Sequence, residues 1–375
     1  MKYYALLGST LIVAVLSAGC SDDDSESTPQ DQGLTGVDVT VGENVAGRSR
    51  VYVLSEGGMG SNNSTLDFMA YADGRYRRNV FGTLNPGVTL GLGDTGNDLQ
   101  VCDGETLWAV MTGSDLIEVM DASDCVHKTS IKVPTPRKVT FADGWAYVSS
   151  YNSGSNENGK VYRIDTDSFK VVDSVLVGPH PEGLAAAGGK LYVTNSYRLS
   201  SDGTAYEYLD SMDVINLDGF EVSGKIEVAP NLSDAVEAGG KVFVGSIGDY
   251  ASTPSSLWCI DPEDDVPVKV EGVLYSRLTS AGDDAWLLYA DYSGDDSKVW
   301  RIPSSTLVPE EIAFDGLSSV SIPYGIGADE KAGYIYIGDA VAYTNVPGYV
   351  NCFSMDGDFK WKAVSGIFPG HFAFY

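Results

Sequence analysis

The side chains best suited to hold a ligand are tyrosines and asparagines gathered in a few connecting segments. Tyr151, Tyr197, Tyr206, Tyr208, Tyr250, Tyr292 and Tyr343 follow short apolar runs, and Tyr275 and Tyr324 precede others. Asn62, Asn63, Asn152, Asn156, Asn195 and Asn345 share these segments. A tyrosine offers a broad apolar face and a polar tip at low rotamer cost, and asparagine adds adaptable hydrogen bonds. Together they suit a large neutral ligand with flat parts and an amide- or hydroxyl-rich edge. The expected contacts are Tyr151, Tyr197, Tyr250, Tyr292, Tyr324 and Tyr343 with Asn62 and Asn152, and Arg137 and Arg198 are the expected polar anchors.

A second set opens short runs rich in small residues: Asn97, Asp98, Arg137, Glu182, Asp234, Tyr324 and His371. Carboxylates and amides together can ligate Ca²⁺, as they do in some lactonase-like hydrolases. Solvated or mutually paired polar groups are the simpler reading, and the expectation is no bound metal and no cofactor. Of the three histidines, His180 and His371 should share a face and His127 should lie on the other. No motif pairs a nucleophile with a general base, and no glycine-rich phosphate loop is present, so a binding protein is expected and not an enzyme.

The elements that must position these residues form a repeated phrase. Seven apolar bursts recur: Val51–Leu54, Leu107–Val110, Ala146–Ser149, Leu191–Thr194, Val242–Gly245, Trp286–Tyr289 and Ile335–Gly338. Their spacing of roughly 40–55 residues is that of four-stranded propeller blades. Each burst follows a small-residue strand and a tight turn such as Asp103-Gly104, Asp143-Gly144, Gly188-Gly189 or Gly239-Gly240. Such pairs accept the positive φ angles of two-residue hairpins. An alternating third strand and a more polar fourth strand complete the unit. The first unit lacks its inner strand, and the last seven residues, Pro369–Tyr375, look like an inner strand with nothing after it. An all-β, seven-bladed propeller closed by its C-terminal strand is therefore expected, because closure pairs edges otherwise open to other chains. The tight inner turns occupy one face of such a ring, and the long tyrosine-bearing segments occupy the other.

The formal net charge of −28 over 375 residues argues against a nucleic-acid partner. Lys2 precedes an apolar run from Tyr3 to Ala18 that ends at Gly19-Cys20, with Leu16 one place further from the cysteine than a usual lipobox asks. Residues 1–19 read as a lipoprotein signal peptide, with Cys20 as the lipidated residue and membrane attachment through acyl chains. Residues 20–47, beginning Cys20-Ser21-Asp22-Asp23-Asp24, read as an acidic flexible tether, and residues 48–375 as the propeller. Cys102 and Cys125 are expected on one face of one blade, which leaves a disulfide open to them. Cys259 and Cys352 fall in non-adjacent blades and should be buried thiols.

The segment Glu56-Gly57-Gly58-Met59-Gly60-Ser61-Asn62-Asn63-Ser64-Thr65-Leu66, with Leu92-Gly93-Asp94 and Pro136-Arg137-Lys138, resembles YncE-like propeller lipoproteins of Bacteroides-type bacteria. The resemblance spans about Arg50 to Tyr375. The acidic run after Cys20 is similar to the signal that exports such lipoproteins to the outer face of the outer membrane. Within this group the resemblance is to BtuG-type proteins. It implies capture of cobalamin or another corrinoid at the cell surface and transfer to a TonB-dependent outer-membrane transporter. A glycan- or protein-binding propeller and a Ca²⁺-dependent lactonase-like hydrolase are the alternatives.

Overall fold

The computed structural model describes residues 36–39, 47–152, 158–200, 202, 204–292 and 296–375. Cys20 and the segment read as a signal peptide lie outside the described residues, as does most of the segment read as a tether. Within that segment Val37 and Asp38 pair antiparallel with Tyr76 and Arg75, adding a two-residue strand to the rim of the first blade.

Seven antiparallel sheets of inner-to-outer order form the ring. The inner strands of the second to seventh blades are Gly96–Cys102, Pro136–Ala142, Pro181–Ala187, Leu232–Ala238, Arg277–Ala281 and Pro323–Asp329. The first blade takes its inner strand from the C-terminus: Pro369–Phe374 pairs with Arg50–Ser55, His371 opposite Leu54 and Phe374 opposite Val51. The expected closure is the one observed.

Alternation along each strand sends successive side chains to opposite faces of a blade. Val51 and Val53 pack toward the seventh blade, whereas Tyr52 and Leu54 pack toward the second. The same parity at every blade yields an apolar cluster in each of the seven seams. Each wholly buried Val, Leu, Ile or Phe contributes about 1.5–3 kcal/mol. The second strands are buried on both sides along nearly their whole length.

Parity also corrects the cysteine reading. Leu99 and Val101 face the first blade, so Cys102 faces the third, while Cys125 packs in the seam with the first. The two thiols lie on opposite sides of one sheet and both are free and buried, so the Cys102–Cys125 disulfide is not formed. Burial pushes the Cys102 thiol up to about 12 and the Cys125 thiol up to about 11. Cys259 and Cys352 are free and buried as expected.

A five-residue helix, Val80–Leu84, inserts Val80 and Phe81 into the seam between the first and second blades. Asn85 Nδ2 donates to the carbonyls of Phe81 (3.0 Å) and Cys125 (2.9 Å), tying this connection to the second blade.

Candidate ligand-binding face

The ring presents two unlike faces. One carries the inner hairpin turns, where Asp103-Gly104 and Gly188-Gly189 hold φ between 49° and 73° and leave little side chain to offer. The other carries the long connections between second and third strands, the kind of loops on which binding residues concentrate.

In the fourth blade that long connection contains an element absent from the sequence reading. Tyr197–Leu199 and Tyr206–Tyr208 pair as a small hairpin, Tyr197 opposite Tyr208 and Leu199 opposite Tyr206. It continues a chain of ring contacts. The Arg137 guanidinium lies 4.7 Å over Tyr151, Tyr151 meets His180 edge-on at 4.6 Å, and His180 stacks on Tyr197 at 4.1 Å. Tyr206 then meets Tyr197 edge-on at 5.1 Å. Burial pulls the His180 pKa down, favouring the neutral ring, whose Nδ1 donates to the Tyr197 carbonyl at 2.9 Å. His180 thus sets the pitch of the two tyrosines beside it.

Tyr208 and Tyr250 tilt together at 5.7 Å, and with Tyr197, Tyr206, Leu232 and Ile247 they line a cleft of about 300 Å³. Tyr250 is 74% exposed and Tyr206 60%, so their faces are open to a guest. The cleft shares Glu182, Ser233 and Ile247 with the mouth of the central channel, a cavity of about 400 Å³.

Asn97, Asp98, Arg137, Glu182, Asp234, Tyr324 and His371 all line that channel. Its carboxylates are already engaged. Glu182 accepts the Arg137 fork from Nε (3.0 Å) and Nη2 (3.2 Å) and also the Tyr151 hydroxyl. Asp98 accepts the backbone N–H groups of Leu99 and Val139 (both 2.9 Å). Asp234 accepts the Tyr275 hydroxyl at 2.6 Å. Glu56 accepts the Tyr324 hydroxyl at 2.8 Å and lies 3.3 Å from His371 Nε2. Burial raises the Glu56 pKa, but these partners and the Arg277 charge outweigh it and hold the carboxylate below its ordinary range. Burial and the Lys138 charge pull the His371 pKa down, so its ring favours the neutral form. Among the described residues no three His, Cys, Asp or Glu side chains are grouped to share a metal ion.

The expected contacts divide accordingly. Tyr197 lines the cleft and Tyr250 forms its open edge, while Tyr151 lies outside the lining and supports Tyr197 through His180. Tyr292 and Tyr343 pair at 6.2 Å on the sixth and seventh blades, with Tyr324 deeper in the channel. Arg137 is committed to Glu182. Arg198 is not brought to the cleft: it pairs with Glu207 across the small hairpin at 2.7 Å and faces a lateral groove with Leu176 and Val222. The two residues are cross-strand neighbours, so the hairpin turns them away together. Asn62 uses its Nδ2 on the Leu90 carbonyl (3.0 Å), holding a loop of the first blade. Asn152 adopts φ 54° and caps the turn after the third blade's second strand, its N–H donating to Ser150 Oγ (3.0 Å).

Among the channel residues missed are Glu56, Lys138 and Arg277. A signal for Arg277 existed in the repeat: it pairs with Leu288 as Asp98 pairs with Val110, so it occupies the same inner-strand position.

No family model and no curated protein matches the chain. Solved propellers do. A hypothetical selenium-binding protein from Sulfolobus tokodaii is similar at 12% identity, with 88% of this chain and 92% of that chain covered and a TM-score of 0.58. Apo AztD from Citrobacter koseri is similar at 11% identity over 88% and 98%, TM-score 0.54. Streptogramin B lyase is similar at 10% identity over 74% and 86%, TM-score 0.53. At such identities the likeness establishes the propeller fold alone.

Proposed function

We propose that this protein is a binding propeller that captures cobalamin or a related corrinoid on its long-loop face and passes it to a TonB-dependent outer-membrane transporter. The observation that carries this reading is the tyrosine-lined cleft continuous with the channel mouth. A corrin is a broad, flat ring edged with amides. Tyr206, Tyr208 and Tyr250 supply faces for such a ring, and Ser196, Asn231 and Ser233 line the same cleft beside its polar edge. A chain of net charge −28 favours a neutral ligand over an anion and disfavours nucleic acid. The channel carboxylates are occupied by arginine, tyrosine and backbone donors, which weakens a Ca²⁺-dependent hydrolase as the alternative. In this reading Cys20 carries the lipid that anchors the protein at the cell surface, and the protein acts without catalysis.

Calorimetric titration with cyanocobalamin tests the proposal. Saturable binding at micromolar concentration or tighter is expected. No heat at that concentration overturns it, and hits on a glycan array in its place would move the assignment to a glycan-binding propeller.

A further inference from the structure

Three basic side chains line the channel mouth: Arg137, Lys138 and Arg277. Two are committed. Arg137 forks onto Glu182, and Lys138 Nζ donates to the Asn97 carbonyl at 2.9 Å. Arg277 is different. Its guanidinium donates from Nη1 to the carbonyl of its neighbour Ser276 (2.8 Å) and lies 5.4 Å over the Tyr324 ring. No ion pair within 4.0 Å engages it among the described residues. A guanidinium presents five N–H donors in a planar fork, so most of this fork remains for a guest.

The surroundings select the guest's charge. Burial disfavours the Arg277 cation, but Asp234 and the phenols of Tyr275, Tyr292 and Tyr324 outweigh it, so the charge persists. Across the channel mouth, Glu56, Asp98, Glu182 and Asp234 face Arg137, Lys138 and Arg277, four carboxylates against three cations. A free anion therefore meets net repulsion, whereas a neutral carbonyl can accept from the fork without it. The cavity is reached from the tyrosine cleft across Ser233 and Ile247.

We propose that Arg277 is the specificity-determining anchor of this site, donating to the carbonyl oxygen of a neutral amide arm that the ligand extends from the tyrosine rim into the channel. The identity of the ligand carrying that arm rests on the corrinoid reading above. The anchor itself does not.

The test uses the wild-type chain with Arg277→Gln and Arg277→Lys. Cyanocobalamin affinity is measured by calorimetry, and the Arg277 side-chain N–H resonance is followed by NMR during titration with acetamide and, separately, acetate. Arg277→Gln should weaken cyanocobalamin at least ten-fold, Arg277→Lys should fall between, and acetamide should shift the Arg277 resonance more than acetate does. A variant that binds within two-fold of wild type while the resonance stays still overturns the anchor. A larger response to acetate overturns the neutral-arm assignment. If wild type ignores cyanocobalamin but acetamide still moves Arg277, the corrinoid reading falls and the anchor stands. Should Arg277→Gln fail to fold, Arg277→Lys and the wild-type titrations decide alone.

Discussion

The seam that closes the ring and the cleft on the long-loop face are built from similar residues used in opposite ways. At the seam between the first and seventh blades, polar side chains bond to one another and to the closing strand, with Asp329 Oδ2 and Trp361 Nε1 left unpartnered. Arg48 Nε donates to Asp329 Oδ1 at 2.8 Å, Arg48 Nη1 reaches the Phe374 carbonyl at 3.3 Å, and the hydroxyls of Tyr71 and Tyr336 bond to each other. Asp329 is wholly buried, and Tyr336 is packed among Phe372, Phe374 and Trp361. At the cleft, Tyr206 and Tyr250 stay largely exposed, with ring faces against solvent. A tyrosine whose tip and face are both spent specifies the fold. One left with capacity can specify a ligand.

The largest expected effect comes from breaking the seam. Asp329→Ala leaves Arg48 without its carboxylate and opens space where the last strand docks. Removing one partner of a buried pair costs about 3 kcal/mol or more. The melting temperature should fall by several degrees, while cyanocobalamin affinity measured well below the transition should hold. A loss of affinity equal to that seen on altering the cleft would erase the distinction between the two regions.

The converse change belongs to the cleft. Tyr250→Ala removes a ring that is 74% exposed, so stability should change by no more than about 0.5 kcal/mol. Ligand affinity should fall by about 1–2 kcal/mol, roughly ten-fold or somewhat more, with Tyr250→Phe keeping most of it. Calorimetry on the two variants beside a melting curve separates recognition from folding. Unchanged affinity in Tyr250→Ala would assign the ring to the surface and not to the site.

How much of this was legible in the sequence follows from the range of the interactions. The blade count and the orphan strand at Tyr375 were legible because they rest on local spacing: an apolar burst, a Gly or Asp turn, and a strand of fixed length. The channel lining followed from the same register. Side-chain commitments were not legible, because the partners meet only through strand pairing, between blades or within one folded loop. Arg137 looks free until the strand 45 residues later brings Glu182 to its fork. Arg198 looks like an anchor until Tyr197–Leu199 folds back on Tyr206–Tyr208. The Cys102–Cys125 misreading has a different cause. Counting from Leu99 turns Cys102 toward the third blade, whereas Cys125 sits in a turn whose packing against the first blade no strand count gives.

The smallest expected effect tests whether the channel behaves like the seam or like the cleft. Glu56, His371 and Tyr324 join the first blade to the seventh at the channel mouth, so their commitment should register as stability. His371 has its pKa held below the ordinary 6.5, by burial first and by Lys138 second, against the pull of Glu56 and Asp98. The folded chain therefore resists the proton that the unfolded chain accepts. Stability is fully present above pH 6.5 and declines as pH falls through 6.5 toward the lower folded value, at no more than about 1.4 kcal/mol per pH unit for one proton. Glu56 acts in the same direction further down. Its pKa is held below the ordinary 4.5, so its contribution is present above that pH and lost as pH falls below it. His371→Gln removes the upper component and leaves most of the lower. Melting curves of wild type and variant between pH 7.5 and 5 should converge as pH falls, because wild type alone loses the histidine contribution. Parallel curves would mean that His371 does not couple protonation to ring closure. The channel mouth would then belong with the cleft, as surface held ready for a guest.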